Sequence, residues 1–312
     1  MLAVVATRFG GPEVLVAHQV SDPVPGEGQV VVDVAAADVL FVETQVRSGW
    51  GQAYFPVQPP YVPGDSVSGT VSAVGAGVDE RWLGRRVVGW TDNRGGYSQR
   101  VIVGVDMLVE LPDDVAFTDA AALSHDGPMA LTLLETAAVR PGERVLVLGA
   151  NGGAGLLVTR LAAEAGARVT GAARGDAKQS LVLDAGAHTV VDPGNLAELG
   201  RHADVVFDGV GGTLGTAAFD TVRDGGRIFP YGAPTGGFAT IDEAAAKRRG
   251  ITVYPLSTLA SARTELTTLM SRILKDTPLR PVIGATYPLS KAAEAHAAVE
   301  ARTVLGKILL TP

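Results

Sequence analysis

Residues 149–155 read GANGGAG, with glycines at 149, 152 and 155 set between the apolar run RVLVLG and the amphipathic stretch Leu156–Ala165. Residues without a Cβ permit a tight turn and let backbone approach a bound anion, while the first amides of a helix carry a partial positive charge. A strand, a glycine turn and a helix in that order form a cradle for the pyrophosphate of a dinucleotide. Its residues would be Gly149, Asn151, Gly152, Gly153, Ala154 and Gly155. A turn that only packs a helix on a sheet would leave the third glycine without a purpose.

The next apolar run, RVTGAA, ends at Ala173–Arg174, and Lys178 follows one helical turn later. A site for NAD wants a carboxylate near this point to bind the ribose 2′-hydroxyl. Here the acid is missing from the strand end and two cations stand in its place, which suits the 2′-phosphate of NADPH. Asp176 lies beyond the strand. The plainer alternative makes Arg174 and Lys178 solvated charges at a helix start.

Other chemistries are excluded by what the chain lacks. There is no cysteine, hence no disulfide, thiolate zinc site or cysteine nucleophile. No G-x-S-x-G elbow, G-x-x-x-x-G-K-[ST] loop or metal-ligand cluster occurs. The formal charge of −7 argues against nucleic acid and acidic membrane as partners. No apolar run reaches the roughly 18 residues that a spanning helix needs, so a cytoplasmic protein is expected. Tyr287–Lys291, YPLSK, matches a Y-x-x-x-K pair, but that chemistry needs both residues on one helix, and Pro288 and Ser290 read as a helix start that leaves Tyr287 outside.

The elements that must position the glycine turn follow from the pattern of the 312 residues, a length that suits two domains. Gln29–Ala35, Val67–Val74, Arg86–Trp90 and Tyr97–Val103 are β-branched runs separated by the turn sequences PVPGEGQ, PPYVPGD and DNRGGY, which predicts a β-rich barrel or sandwich. Helical character begins near Phe117, with a break at Gly127–Pro128. From Arg144, apolar strands RVLVLG, RVTGAA, HTVV, DVVFD, GRIFPYG and ITVYPL alternate with helices Asp176–Asp184 and Leu214–Val222, the pattern of a parallel sheet covered on both faces. Helices Ser261–Lys275 and Leu289–Ala301 and a strand KILL close the chain and are expected to rejoin the N-terminal part. His296 is expected on a surface helix, His188 at a strand start and His202 before one. Lys247–Arg249 reads as a solvated helix end.

Taken together, FGGPEVL, DPVPGEGQVVVDVAA, VRSG, VPGDSVSGTVSAVG, GGYSQRVIV, GANGGAG, DVVFDGVGG, GGRIFPYGAPTG and YPLSKAAEAHAAVEARTVLGKILLTP resemble the medium-chain dehydrogenase/reductase superfamily, in its zinc-free quinone oxidoreductase-like branch. The resemblance covers nearly the whole chain. It implies an α/β architecture with a GroES-like β-rich catalytic domain built from 1–121 and 259–312. A doubly wound Rossmann domain, 122–258, would be inserted between them, with the active-site cleft where the two meet and a homodimer as the expected assembly. It also implies hydride transfer from NADPH to the electron-poor C=C of a quinone, enone, enal or enoyl thioester. A non-catalytic dinucleotide-binding protein is the alternative from another class.

Residue by residue, the resemblance carries the pyrophosphate loop onto Gly152, Gly153 and Ala154 and the 2′-phosphate site onto Arg174 and Lys178. Val210, Gly211, Tyr231 and Gly232 fall on segments lining the dinucleotide, and Lys307 on a turn close to it. For Tyr231 and Lys307, packing and a solvated charge are the alternatives. Zinc-dependent relatives carry a cysteine and a GHE segment as ligands, but this chain has Gly64–Asp65–Ser66 there, so no catalytic zinc is expected. Leu40 and Met129 stand where quinone reductases often carry polar residues near the nicotinamide, which points to a specialised pocket for a small-molecule substrate. Candidates for the acid that completes the reduction are Tyr54, His125 and Asp126, against alternatives of packing for the tyrosine and a helix cap for the His–Asp pair.

Overall fold

The β-branched runs at the start of the chain become strands because each can bury one face against a neighbour. The computed structural model describes residues 1–91, 94–259, 263–276 and 279–312. Its elements begin with β1 (Leu2–Ala6), β2 (Leu15–Gln19), β3 (Gln29–Val39), α1 (Phe41–Arg47), β4 (Ser66–Val74), β5 (Arg86–Trp90), β6 (Arg100–Gly104), β7 (Leu108–Glu110) and α2 (Phe117–Leu123). There follow α3 (Asp126–Ala137), β8 (Arg144–Leu148), α4 (Gly153–Glu164), β9 (Arg168–Ala172), α5 (Asp176–Asp184), β10 (Thr189–Val191), β11 (Ala203–Asp208), α6 (Gly212–Thr221), β12 (Val222–Pro230), α7 (Glu243–Arg249) and β13 (Thr252–Val253). The chain ends with α8 (Arg263–Lys275), β14 (Ile283–Pro288), α9 (Ala292–Ala301) and β15 (Lys307–Thr311). Asp92 and Asn93 of the expected turn, and Ser261 of the expected helix, lie outside the described residues.

The chain divides into two units, Met1–His125 with Arg263–Pro312, and Asp126–Ala262. The first carries a seven-stranded sheet in the order β14-β15-β3-β4-β5-β7, with β6 also paired to β3 and β1–β2 as a separate pair. This is the GroES-like part. Pairings are antiparallel except β14 with β15. β3 runs to Val39, past the expected end at Ala35, because β15 from the other end of the chain pairs with Ala37, Asp38 and Val39. The strand expected from Tyr97 starts at Arg100. Tyr97 instead exchanges backbone hydrogen bonds with Val4 and Pro63.

The second unit is a parallel sheet in the order β10-β9-β8-β11-β12-β13, the Rossmann-like arrangement. β8 and β11 are apolar and buried throughout their centres, as strands covered on both faces must be. Ala218 and Phe219 of α6 share a core with Leu146, Val206, Val222 and Ile228 of the sheet. The break expected at Gly127–Pro128 falls just earlier, between α2 and α3. Pro128 sits in the first turn of α3, where a missing N–H costs nothing. β13 holds only two of the six residues expected of its strand.

Candidate functional site

β8 delivers the glycine turn at its C-terminal end. Gly149 adopts φ +70°, a conformation that side chains resist. A Cβ on Gly155 would collide with the Gly149 carbonyl oxygen and reach within 2.9 Å of the Ala150 Cα, so the third glycine is what lets α4 close on the strand. Gly152 enters α4 in extended conformation, and no side chain caps that terminus. The start of α4 therefore presents backbone amides and a helix dipole beside Asn151, Gly153 and Ala154, a cradle of the kind a pyrophosphate fills.

Three more turns stand at the same edge of the sheet. Arg174 follows β9, largely exposed, with its Nε 3.9 Å from the Asp192 carboxylate. Lys178 lies in the first turn of α5. After β11, Asp208 turns inward, fully buried, and its Oδ1 accepts the Val210 and Gly211 amides, both at 2.9 Å. Its burial raises its pKa above the usual carboxylate range. Gly211 has φ +72° and no room for a Cβ against Gly237. After β12, the amides of Tyr231 and Gly232 donate to the Asp208 carbonyl at 2.9 and 3.1 Å, which ties the two turns together. Burial, and then the Asp126 and Asp208 carboxylates, push the Tyr231 phenol up. Asp208 is the organiser that the sequence reading missed, although it stands in the DVVFD strand beside the residues named. In open parallel sheets a ligand sits at this carboxyl edge where strand order reverses, here between β8 and β11.

The first unit holds a second constellation. Glu43, on α1, accepts the Leu40 amide at 2.9 Å, the Asp65 amide at 3.1 Å and the Tyr97 hydroxyl at 2.6 Å. Burial pushes its carboxyl up to about 8, against the pull of the donors. Tyr97 Oη lies 2.9 Å from His296 Nε2, and Arg47 stands 3.2 Å from Nδ1 and also pairs with Glu300. Arginine only donates, so Nδ1 accepts and Nε2 carries the ring proton toward Tyr97. His296 is therefore not on a solvated face. It is fully buried where α9 packs on α1, and burial followed by the Arg47 charge lowers its pKa to about 3. Arg249 likewise departs from expectation, since it bonds Asp224 at 2.9 Å and lies over the Phe219 ring.

Tyr54 is 75% exposed. His125 closes the first unit with its Nε2 3.9 Å from Asp65 Oδ2, and Asp126 opens α3. Lys307 is buried, its ammonium 2.8 to 2.9 Å from the Asp38 carboxylate oxygens. Tyr287 lies in β14 and Lys291 in a short turn after it, so the two do not share a helix.

Residues 26–113 match the alcohol dehydrogenase GroES-like domain, and residues 180–310 match the zinc-binding dehydrogenase family. A quinone oxidoreductase of Sus scrofa is 32% identical, over 99% of this chain and 97% of its own. The chain belongs to the medium-chain dehydrogenase/reductase superfamily, in its quinone oxidoreductase-like branch. A 2-haloacrylate reductase of a Burkholderia species is 30% identical, over 100% of this chain and 99% of its own. Among solved structures, the Escherichia coli quinone oxidoreductase complexed with NADPH superposes with a TM-score of 0.88 at 29% identity, each chain covered in full. A mycobacterial protein complexed with NADPH gives 0.87 at 31%, again over both full chains.

This member of the superfamily is an NADPH-dependent oxidoreductase. The glycine cradle of the second unit fits that cofactor. Zinc does not fit. The chain has no cysteine, Asp65 and Ser66 stand where the zinc-dependent branch has ligands, and no group of three or more His, Asp or Glu residues suited to a metal occurs among the described residues. The family's zinc name is thus not matched by this chain's donors.

Proposed function

We propose that the protein transfers hydride from NADPH to an activated C=C bond, in an enone, enoyl thioester or quinone. The observation that carries this reading is the donor set. A dinucleotide cradle with Arg174 and Lys178 at its strand end stands, among the described residues, without any group of three or more His, Asp or Glu suited to a metal. The named substrates of the two relatives, a quinone and a haloacrylate, share a C=C conjugated to a carbonyl group, which is where a nicotinamide hydride adds without metal assistance.

In this reading Gly149, Asn151, Gly152, Gly153, Ala154 and Gly155 receive the pyrophosphate, and Arg174 and Lys178 receive the 2′-phosphate. Val210, Gly211, Tyr231 and Gly232 line the dinucleotide. The acid is one of the candidates Tyr54, His125 and Asp126. Leu40 is buried and apolar, and with Met129 it favours a narrow biosynthetic enone or enoyl substrate over broad quinone and enal detoxification. The protein would act in the cytoplasm as a homodimer on small molecules. No helix among the described residues is long and apolar enough to cross a membrane.

The test is NADPH oxidation, followed by absorbance, with a benzoquinone, a short enal, a cyclic enone and an enoyl thioester, each repeated with NADH and with a chelator. One preferred acceptor, preference for NADPH and indifference to the chelator are expected. Turnover that a chelator abolishes, or reduction of simple ketones alone, would exclude the reading. Light scattering on the eluted protein tests the dimer.

A further inference from the structure

We propose that Asp65 is the positioning residue for His125, and that His125 so held delivers the proton that completes reduction of a conjugated carbonyl substrate. The inference rests on the hydride-transfer reading above and names its acid. Sequence adjacency points to Asp126 as the partner of His125, whereas the fold brings up Asp65 from the start of β4, with Oδ2 3.9 Å from the ring Nε2. That is an ion-pair separation, of the kind that tightens to a hydrogen bond when substrate binds.

The two residues are held side by side by their neighbours. Ser124 Oγ donates to the Ala121 carbonyl at 2.7 Å, so the Ser66 hydroxyl is the donor in the 2.7 Å contact between Ser66 and Ser124. Both serines are fully buried, and each adjoins one member of the pair. The Asp65 amide is fixed by Glu43 at 3.1 Å, and its carbonyl accepts the Thr91 amide at 2.7 Å and hydroxyl at 3.1 Å. The carboxylate thus sits on a rigid mount, 17% exposed, while the imidazole is 40% exposed and open to a substrate.

Three of the four other histidines are differently committed. His296 is enclosed by Arg47 and Tyr97, His188 accepts the Val169 amide, and His202 faces Arg144. Among the described residues, His125 is the one imidazole within ion-pair distance of a carboxylate.

Hydride forms the C–H bond at the β-carbon, the C=C π pair shifts toward the carbonyl, and the oxygen becomes an enolate. The His125 N–H bond then breaks as an O–H bond forms, the enol passes that hydrogen through water to the α-carbon to give the saturated carbonyl, and the ring nitrogen recovers its proton from water. The substrate gains two electrons and two hydrogens, and the cofactor is oxidised. Asp65 orients the ring throughout and touches no reacting atom.

The experiment compares wild type, D65N, D65E, H125N and the D65N/H125N double variant for kcat and for the KM of NADPH, with nitrogen NMR of the imidazoles at one pH. Expected are a loss of about a hundredfold in kcat for H125N and about tenfold for D65N, with NADPH KM unchanged. D65E recovers most of the loss, and the double variant is no slower than H125N. The His125 ring resonances, assigned by their absence in H125N, are displaced in D65N. Equal kcat in wild type and D65N, or losses that multiply in the double variant, overturn the pair and leave hydride transfer standing. If wild type oxidises no NADPH with any acceptor, the reading falls and His125 falls as its acid. Ring resonances unmoved in D65N overturn the positioning role in either case.

Discussion

Arg174 and Lys307 show how differently two cations in one chain are placed. Arg174 is exposed at the end of β9 and held only loosely by Asp192. A charge-assisted bond to phosphate contributes about 1.5–3 kcal/mol, so Arg174→Ala is expected to raise the KM for NADPH about tenfold to a hundredfold, with NADH kinetics unchanged. Equal effects on both cofactors would remove Arg174 from the 2′-phosphate. Lys307 is instead buried against Asp38. Removing one partner of a buried pair leaves an uncompensated charge and costs about 3–5 kcal/mol, so Lys307→Met should lower unfolding stability by that order while NADPH KM stays put. Restoration of stability by adding Asp38→Asn would confirm the pair. A KM increase at unchanged stability would return Lys307 to the cofactor. The position of Arg174 is legible in sequence because it is counted along a strand. The Asp38–Lys307 pair is not, because its members stand 269 residues apart and meet only when β15 joins β3.

Elements obey the same distinction between local and distant causes. The turn from β8 into α4 is written in consecutive residues, and its geometry follows from the missing Cβ atoms. Gly155→Ala would drive a methyl into the Gly149 carbonyl, forcing α4 away from β8. Overpacking of this kind costs about 1–3 kcal/mol. The variant is expected to lose NADPH binding, measured by quenching or enhancement of cofactor fluorescence, by more than its loss of thermal stability explains. Unaltered binding would show that α4 does not hold the pyrophosphate. Helix α5 and strand β5 match their sequence spans because local signals bound them, Gly186 closing the helix and turn sequences flanking the β-branched run. β14 escaped the sequence reading. Its residues alternate strictly but its inner face is only half-buried and includes Ala285, and its pairing with β15 arises from a parallel connection through α9. His296 was misplaced for a related reason, since the face of α9 that it occupies is buried by α1, an element far away in the chain.

For the molecule as a whole, the Glu43–Tyr97–His296–Arg47 cluster adds two opposing contributions to how stability varies with pH. The Glu43 carboxyl titrates near 8 in the folded state against 4.5 as an ordinary glutamate, so the folded state holds the extra proton. Its contribution is complete below pH 4.5 and is lost as pH rises through 8. His296 has the opposite sign. Its folded value near 3 lies below the ordinary 6.5, so its contribution is complete above 6.5 and is lost as pH falls through 3. Between pH 4.5 and 6.5 the slopes of this pair oppose each other, and of the two only His296 contributes a slope below 4.5 and only Glu43 above 6.5. One group changes stability by about 1.4 kcal/mol per pH unit, so from pH 6.5 to 8 the Glu43 flank is on the order of 2 kcal/mol. Urea unfolding of wild type and Glu43→Gln across this range separates Glu43 from the other carboxylates, whose contributions cancel in the difference. The variant is expected to be less stable at pH 6, where it loses a hydrogen-bonding fit with Tyr97, Leu40 and Asp65, and to close on wild type as pH rises to 8. Parallel curves would mean that Glu43 is already ionised at pH 6. Its three donors would then outweigh burial, and the hydrogen bonds running from Arg47 through His296 and Tyr97 would end on a permanent charge beneath the loops that carry Leu40 and Asp65.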